Sequence, residues 1–329
     1  MSDAVRRAAP SDHFDGTRFH NPTPPEPPPF SAVPRLYLEK RTPWPARIDQ
    51  LTRLPLPRGD ADAVVTFVGH STFLLQTAAG AILTDPMYGE RAGPFGIGGP
   101  RRVRPPAVAF DDLPPIALVL LSHNHYDHCD LPTLRRLAAR FDPVVVTPLG
   151  NGALVRSAGI RRVEELDWWE SSTAAGLPVA VTPAHHFSAR TLFDRNRALW
   201  GGFVLVAGST RIYFAGDTAY APFFPEIPRR LGALDLALIP IGAYEPRWFM
   251  QAVHMTPAEA VQAHLDLGSP RSIGMHFGTF QLTTEGIDAP GLALAEARRA
   301  RGIAGPAFST LAFGESLRLT SNDAARDGL

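Results

Sequence analysis

From Ala61 onward, short apolar runs alternate with segments of helical period, and each run is bracketed by Gly, Pro or Asp. Ten of them read as strands: Val64–Val68, Thr72–Gln76, Ala81–Thr84, Ala117–Leu121, Val144–Thr147, Val179–Thr182, Phe203–Val206, Arg211–Ala215, Leu236–Pro240 and Ser272–Met275. The first three lie too close together to hold helices between them, which predicts an antiparallel meander, whereas the later runs are spaced by helix-length segments. Ten strands need two sheets, and the mixture predicts a layered α/β sandwich. Two helices are marked by their starts. Asp130 can cap a helix that carries Pro132 in its first turn and runs to Arg140, and Thr256-Pro257-Ala258-Glu259 is a capping box for a helix ending near Gly268.

The first sixty residues break the pattern. Pro22, Pro24, Pro25, Pro27, Pro28 and Pro29 leave no room for a helix or a central strand. Residues 1–60 therefore read as an extended proline-rich arm that is either disordered or wraps the domain through Phe14, Phe19, Phe30, Leu36 and Trp44.

Composition narrows the classes. The 329 residues are 45% apolar, which is globular, and 32 Lys plus Arg balance 32 Asp plus Glu, so no net charge draws the chain to nucleic acid or an anionic membrane. No apolar run reaches the roughly 20 residues that span a bilayer, and residues 1–30 lack the apolar stretch of a signal peptide, so the expected location is the cytoplasm. Cys129 is the single cysteine, which excludes an intrachain disulfide framework and a cysteine-rich zinc site.

Histidine carries the chemistry. Three of the 11 histidines fall within six positions in Ser122-His123-Asn124-His125-Tyr126-Asp127-His128, directly after an apolar strand and before a capped helix. Functional residues favour that loop, and zinc accepts neutral imidazole and carboxylate, so four such donors can serve two metals. Packing alone rewards no such cluster. Further donors stand where later strands break: His185-His186, Asp217 in Gly216-Asp217-Thr218, and His276 in Met275-His276-Phe277. Consecutive residues on extended chain point opposite ways, so only one of His185 and His186 can face the metals, and spacing leaves that choice open.

At these residues the chain resembles the metallo-β-lactamase superfamily, whose H-x-H-x-D-H motif is followed by His, Asp and His at later strand ends. The resemblance covers roughly residues 61–320 and implies a four-layer αββα sandwich, with 61–329 as the hydrolase domain. It implies one zinc, or a comparable divalent ion, on His123, His125 and one of the 185/186 pair, and a second on Asp127, His128 and His276, with Asp217 bridging. The family places its ligand just before an aromatic residue, which selects His186, before Phe187. Within the superfamily the chain is most similar to the N-acylphosphatidylethanolamine-hydrolysing phospholipase D group. The supporting stretches are Phe14-Asp15-Gly16, Asn21-Pro22, Gly69-His70-Ser71-Thr72, Thr84-Asp85-Pro86, Phe214-Ala215-Gly216-Asp217-Thr218 and Ile241 to Arg247, while Phe277 stands where that group has Trp.

That resemblance implies hydrolysis of an N-acyl phospholipid phosphodiester by a metal-bridging hydroxide, with water brought to a pKa of about 7. Asp127 and His254 are its catalytic candidates, the first holding the hydroxide's proton and the second donating to a substrate oxygen. His70, Asp85, Tyr126, His185 and Tyr244 are candidates for supporting a ligand or touching substrate; Asp85 reads equally as a turn cap. His264 and Cys129 read as structural. Gly93 to Pro100, followed by Arg101, Arg102 and Arg104, reads equally as a basic lip for a lipid headgroup, which would bring peripheral membrane contact, and as a flexible loop with solvated arginines. The alternatives are a lactonase or a small-ester or sugar-phosphate hydrolase on the same site, and a metal-binding module without turnover.

Overall fold

A computed structural model of the chain describes residues 9–320, excluding the side chains of Phe30, Tyr37 and Phe95. Residues 1–8 of the expected arm and 321–329 of the expected hydrolase domain lie outside the described residues. So does the Phe30 side chain, named above as a wrapping contact.

Among the described residues, fourteen strands form two seven-stranded sheets. The first holds β1 (Ala63–Gly69), β2 (Thr72–Thr77), β3 (Gly80–Thr84), β4 (Ile116–Leu120), β5 (Val144–Pro148) and β6 (Arg162–Leu166). The second holds β7 (Ser171–Ala174), β8 (Leu177–Thr182), β9 (Gly202–Ala207), β10 (Thr210–Phe214), β11 (Leu236–Pro240), β12 (Ser272–Met275) and β13 (Phe308–Thr310), while β14 (Ser316–Leu319) returns to pair with β1. The meander β1-β2-β3 is antiparallel, as the spacing predicts, and β3, β4, β5 and β6 then run parallel. In the second sheet β10 to β13 are parallel. Four strands went unpredicted, β6, β7, β13 and β14, and they are the four sheet edges.

Period-two alternation layers the molecule. On β4, Leu118 and Leu120 join the core between the sheets, with Phe67, Phe73, Val181, Phe203 and Phe214; Val119 and, just past the strand, Leu121 face outward, onto Leu134 and Leu137 of the helix Leu131–Arg140. Each such large apolar side chain stabilises the fold by about 1.5–3 kcal/mol through burial. The Asp130 side chain accepts from Thr133 N–H and caps that helix, and Thr256 and Glu259 close a full capping box on the helix Pro257–Leu267, which packs on the second sheet and stops at a left-handed Gly268. The result is the αββα sandwich. No helix among the described residues is long and apolar enough to cross a membrane.

The N-terminal segment packs closely on this sandwich and is not extended throughout, because just past the proline run Val33–Leu38 form a short helix. Phe14 and Phe19 are buried in the intersheet core with ring centroids 4.6 Å apart, and Trp44 donates from Nε1 to the Glu285 carbonyl. The expected basic lip needs correction. Arg102 is buried, its guanidinium donating to the carbonyls of Met87 and Gly89 and lying 4.7 Å over Phe280, because residue 102 bridges to residue 280 like a strand fragment. Arg104 is half-buried over Phe313, so Arg101 alone of the three is freely exposed.

Candidate metal centre

Parallel neighbours end at a common rim, and the loops leaving those ends deliver the polar side chains. His70 sits in the β1–β2 turn, Asp85 after β3, His123 to His128 after β4, His185 and His186 after β8, Asp217 after β10 and His276 after β12. Three of these non-glycine residues, His70, Asp85 and His276, have positive φ of 57°, 32° and 63°. Such conformations cost of order 1–3 kcal/mol each and persist where surrounding structure enforces them, often at functional sites. Gly216 carries the chain into Asp217 at φ +60°, where a Cβ would come within 2.7 Å of the Ser122 Cβ.

The structure brings His123, His125, Asp127, His128, His186, Asp217 and His276 into one buried cluster with two halves. In the first, His123 Nε2 lies 2.9 Å and His186 Nε2 3.2 Å from His125 Nδ1. In the second, Asp127 Oδ2 lies 3.3 Å from His128 Nε2, 3.4 Å from His276 Nε2 and 3.0 Å from His70 Nε2. Asp217 Oδ2 stands between the halves, 3.0 Å from both His128 and His276 Nε2 and 3.9 Å from His186 Nε2. His254 reaches the same carboxylate at 4.0 Å.

Hydrogen bonds behind the cluster turn the rings. His128 Nδ1 donates to Asp85 Oδ2 at 2.6 Å, His186 Nδ1 to the Val253 carbonyl at 2.9 Å, and His123 Nδ1 to Ser122 Oγ, which itself donates to Asp85. Each of these rings is left with Nε2 turned inward. His185 is turned away, with Nδ1 facing the Ala252 carbonyl and Nε2 the Thr23 carbonyl.

This donor set fits divalent cations. Buried His128 Nε2, His276 Nε2 and Asp217 Oδ1 make no hydrogen bond, and the His123–His125 and His186–His125 contacts set imidazole nitrogens against one another. Three imidazole nitrogens within 4.8 Å, and beside them a group of three imidazoles and a carboxylate, match what zinc accepts. Electrostatics divides the halves. Burial pushes the pKa of His125 down to about 3 and of His186 to about 4, and holds His123 well below the usual imidazole range. For His128 and His276 burial acts the same way, but Asp217 and Asp127 outweigh it, raising His276 to about 9 and His128 well above its ordinary value.

The other candidates are placed as follows. His70 is in direct contact with Asp127, and Asp85 accepts from a cluster imidazole. Tyr126 points outward, its hydroxyl donating to the Arg190 carbonyl. Tyr244 is half-buried on the loop after β11, and its N–H donates to Glu285. His264 bonds Ser272 Oγ in the helix packing, and burial pushes the Cys129 thiol up to about 12, which removes any thiolate chemistry. Sequence reasoning assigned no role to Asn21. Its buried amide donates to the His186 carbonyl and accepts the His186 N–H, so the N-terminal segment grips a donor residue directly. The Asn-Pro dipeptide was the only signal.

A family model described as the beta-lactamase superfamily domain matches residues 81–277. The chain is 38% identical over 231 residues to N-acyl-phosphatidylethanolamine-hydrolyzing phospholipase D 1 of Caenorhabditis elegans, covering 67% of this chain and 65% of that one. It is 43% identical over 231 residues to an uncharacterized protein of Mycobacterium tuberculosis, covering 68% and 61% respectively. Both alignments thus span less than two thirds of the relative's length. The isothiocyanate hydrolase from Delia radicum gut bacteria superposes with a TM-score of 0.64 at 22% identity, over 78% of this chain and 99% of the other, a likeness of fold.

Proposed function

Because the chain belongs to the metallo-β-lactamase superfamily, we propose that it is a dinuclear zinc-dependent hydrolase acting on phosphodiesters of the N-acyl phospholipid type. The observation carrying this reading is the convergence of seven buried donors in which His128 Nε2, His276 Nε2 and Asp217 Oδ1 make no hydrogen bond and imidazole nitrogens face one another. His123, His125 and His186 would hold one ion and Asp127, His128 and His276 the other, with Asp217 shared. When bound, two such ions supply Lewis acidity for the phosphoryl oxygens and lower the pKa of water to about 7. The likeness to a phospholipase D supports the substrate class.

The chain's own groups do the rest. Ser122, Asp85 and the Val253 carbonyl fix the tautomers that turn Nε2 inward. Asp127, whose side chain is the most exposed carboxylate of the cluster, is placed to take a proton from attacking water, and the His70 ring N–H steadies it. His254 is kept neutral by burial, and its Nε2 lies 4.0 Å from Asp217 Oδ2, so its ring stands within reach of a substrate oxygen or the leaving group at the cluster. Residues 61–329 would form the hydrolase unit, with 1–60 as an arm packed on it.

The test is turnover of metal-loaded protein on N-acylphosphatidylethanolamine, bis-aryl phosphates and lactones. Phosphodiester turnover with close to two ions per chain is the expected result. Rapid lactone hydrolysis without phosphodiester turnover would overturn the substrate class, and retention of at most one ion at saturating metal would overturn the dinuclear site.

A further inference from the structure

Outside the metal cluster, an open cavity of about 380 Å³ lies against the far side of the same loop. Tyr126, between the donors His125 and Asp127, forms part of its wall, and Leu131, Pro132 and Leu154 give it apolar surface. Two guanidiniums line it. Arg190 is braced by its Nη1 on the Asn124 and Cys129 carbonyls, with its guanidinium carbon 3.9 Å over the Tyr126 ring; its Nε and Nη2 make no hydrogen bond among the described residues. Arg135 is exposed and makes neither a hydrogen bond nor an ion pair among them.

Asp130 and Asp194 also stand in the lining and balance the two guanidiniums formally, but neither forms an ion pair with them. Asp130 is engaged in capping a helix, and Asp194 Oδ1 accepts the N–H groups of Arg190 and Thr191. The loops that supply Gly93, Gly96 and Thr191 to the cavity also hold Ile97, Leu192 and Phe193 out at 77%, 74% and 81% exposure. Isolated exposed apolar side chains are ordinary, but three on two loops flanking one cavity that holds two guanidiniums form a directed surface.

We propose that this cavity is a subsite for an anionic amphiphile. Its phosphate group would lie on Arg190 and Arg135, its hydrocarbon against Leu131, Leu154 and the apolar loop tips. Guanidinium suits phosphate because its planar fork offers paired donors, and a largely apolar concavity with a few fixed polar groups is how small-molecule sites are built. The role of the subsite in turnover rests on the phosphodiesterase reading. Its binding does not, and the experiment separates the two.

Metal-loaded protein is titrated with dodecyl phosphate and with inorganic phosphate, and the diesters are then assayed. Arg135→Glu lies on an exposed, unpartnered side chain and is expected to weaken dodecyl phosphate about 10- to 100-fold, the range for losing a charge-assisted contact. The pair Leu192→Ser with Phe193→Ser should weaken dodecyl phosphate severalfold while shifting inorganic phosphate little. Because the single phosphate of a diester substrate would lie at the metal cluster, the amphiphile held here is a second molecule, and in Arg135→Glu any change that dodecyl phosphate causes in the rate on N-acylphosphatidylethanolamine should be lost. Unchanged dodecyl phosphate affinity in both variants overturns the subsite. So does an equal loss for both phosphates with no effect of the apolar pair, which would make it a plain anion site. Weakened dodecyl phosphate binding in a protein that hydrolyses neither diester supports the subsite and overturns the phosphodiesterase reading.

Discussion

The two halves of the donor cluster solve the same problem of buried polarity in opposite ways. His128 and His276 have Asp127 and Asp217 within 3.0–3.4 Å, so that half can satisfy itself with ion pairs when no cation is present. His123, His125 and His186 have no carboxylate within hydrogen-bonding distance; burial keeps them neutral and their nitrogens confront one another. One half thus pairs with protons until metal displaces them, and the other has only imidazole against imidazole until metal arrives. Asp217 is the element common to both.

The largest effect should follow from removing that common element. Asp217→Ala takes away the carboxylate facing His128 and His276, and breaking a buried pair costs about 3–5 kcal/mol. Urea melts of metal-free protein should show that loss, and metal analysis should find both positions weakened. Full occupancy of either position in Asp217→Ala would show that the halves are independent. A smaller and one-sided effect is expected from His186→Ala, which should lower affinity at one position by about 10–100-fold or more, whereas His185→Ala should do less because that ring bonds only backbone carbonyls. Calorimetric titration with zinc distinguishes them, and the reverse ranking would move His185 into the cluster.

The halves also differ in how they could be read. The carboxylate half and the loop donors are visible as residues because they stand at the ends of apolar runs, and the ten central strands are visible because both their faces are buried. The edge strands are not. Arg162–Leu166 and Ser316–Leu319 are mostly half-exposed and carry Glu, Arg and Ser, so no apolar run marks them. What braces the imidazole half is equally hidden: the Val253 carbonyl and the Asn21 amide come from positions 67 and 165 residues distant from His186. Arg102 was misread for the same reason, since its carbonyl acceptors and Phe280 meet it only in three dimensions.

Asn21 gives the next test of that asymmetry. Asn21→Ala would leave the buried N–H and carbonyl of His186 unpartnered, at about 1–3 kcal/mol each if water stays out. Its consequence for metal should fall on the imidazole half alone, read as weakening of one zinc position with the other retained. Equal weakening of both would place the effect in global stability.

The smallest effect tests the tether of that N-terminal grip. His13 Nε2 lies 2.8 Å from Asp167 Oδ1 and Nδ1 2.6 Å from Asp12 Oδ1, with the ring stacked 4.4 Å from Trp168. Burial disfavours its charged form, but the hydrogen bonds and charges of Asp167 and Asp12 outweigh this and raise its pKa above the usual 6.5. A raised folded pKa means the folded state binds the proton more tightly than the unfolded chain does. The resulting stability is fully present below pH 6.5 and is lost as pH rises through the folded pKa. With Asp12 largely exposed, its size should be on the order of 1 kcal/mol or less. The cluster histidines titrate too, so the informative quantity is the difference between wild type and His13→Gln, melted in parallel at each pH. That difference should shrink from pH 6 toward pH 9, and zinc affinity of the imidazole half should follow it; a difference independent of pH would leave His13 as packing alone.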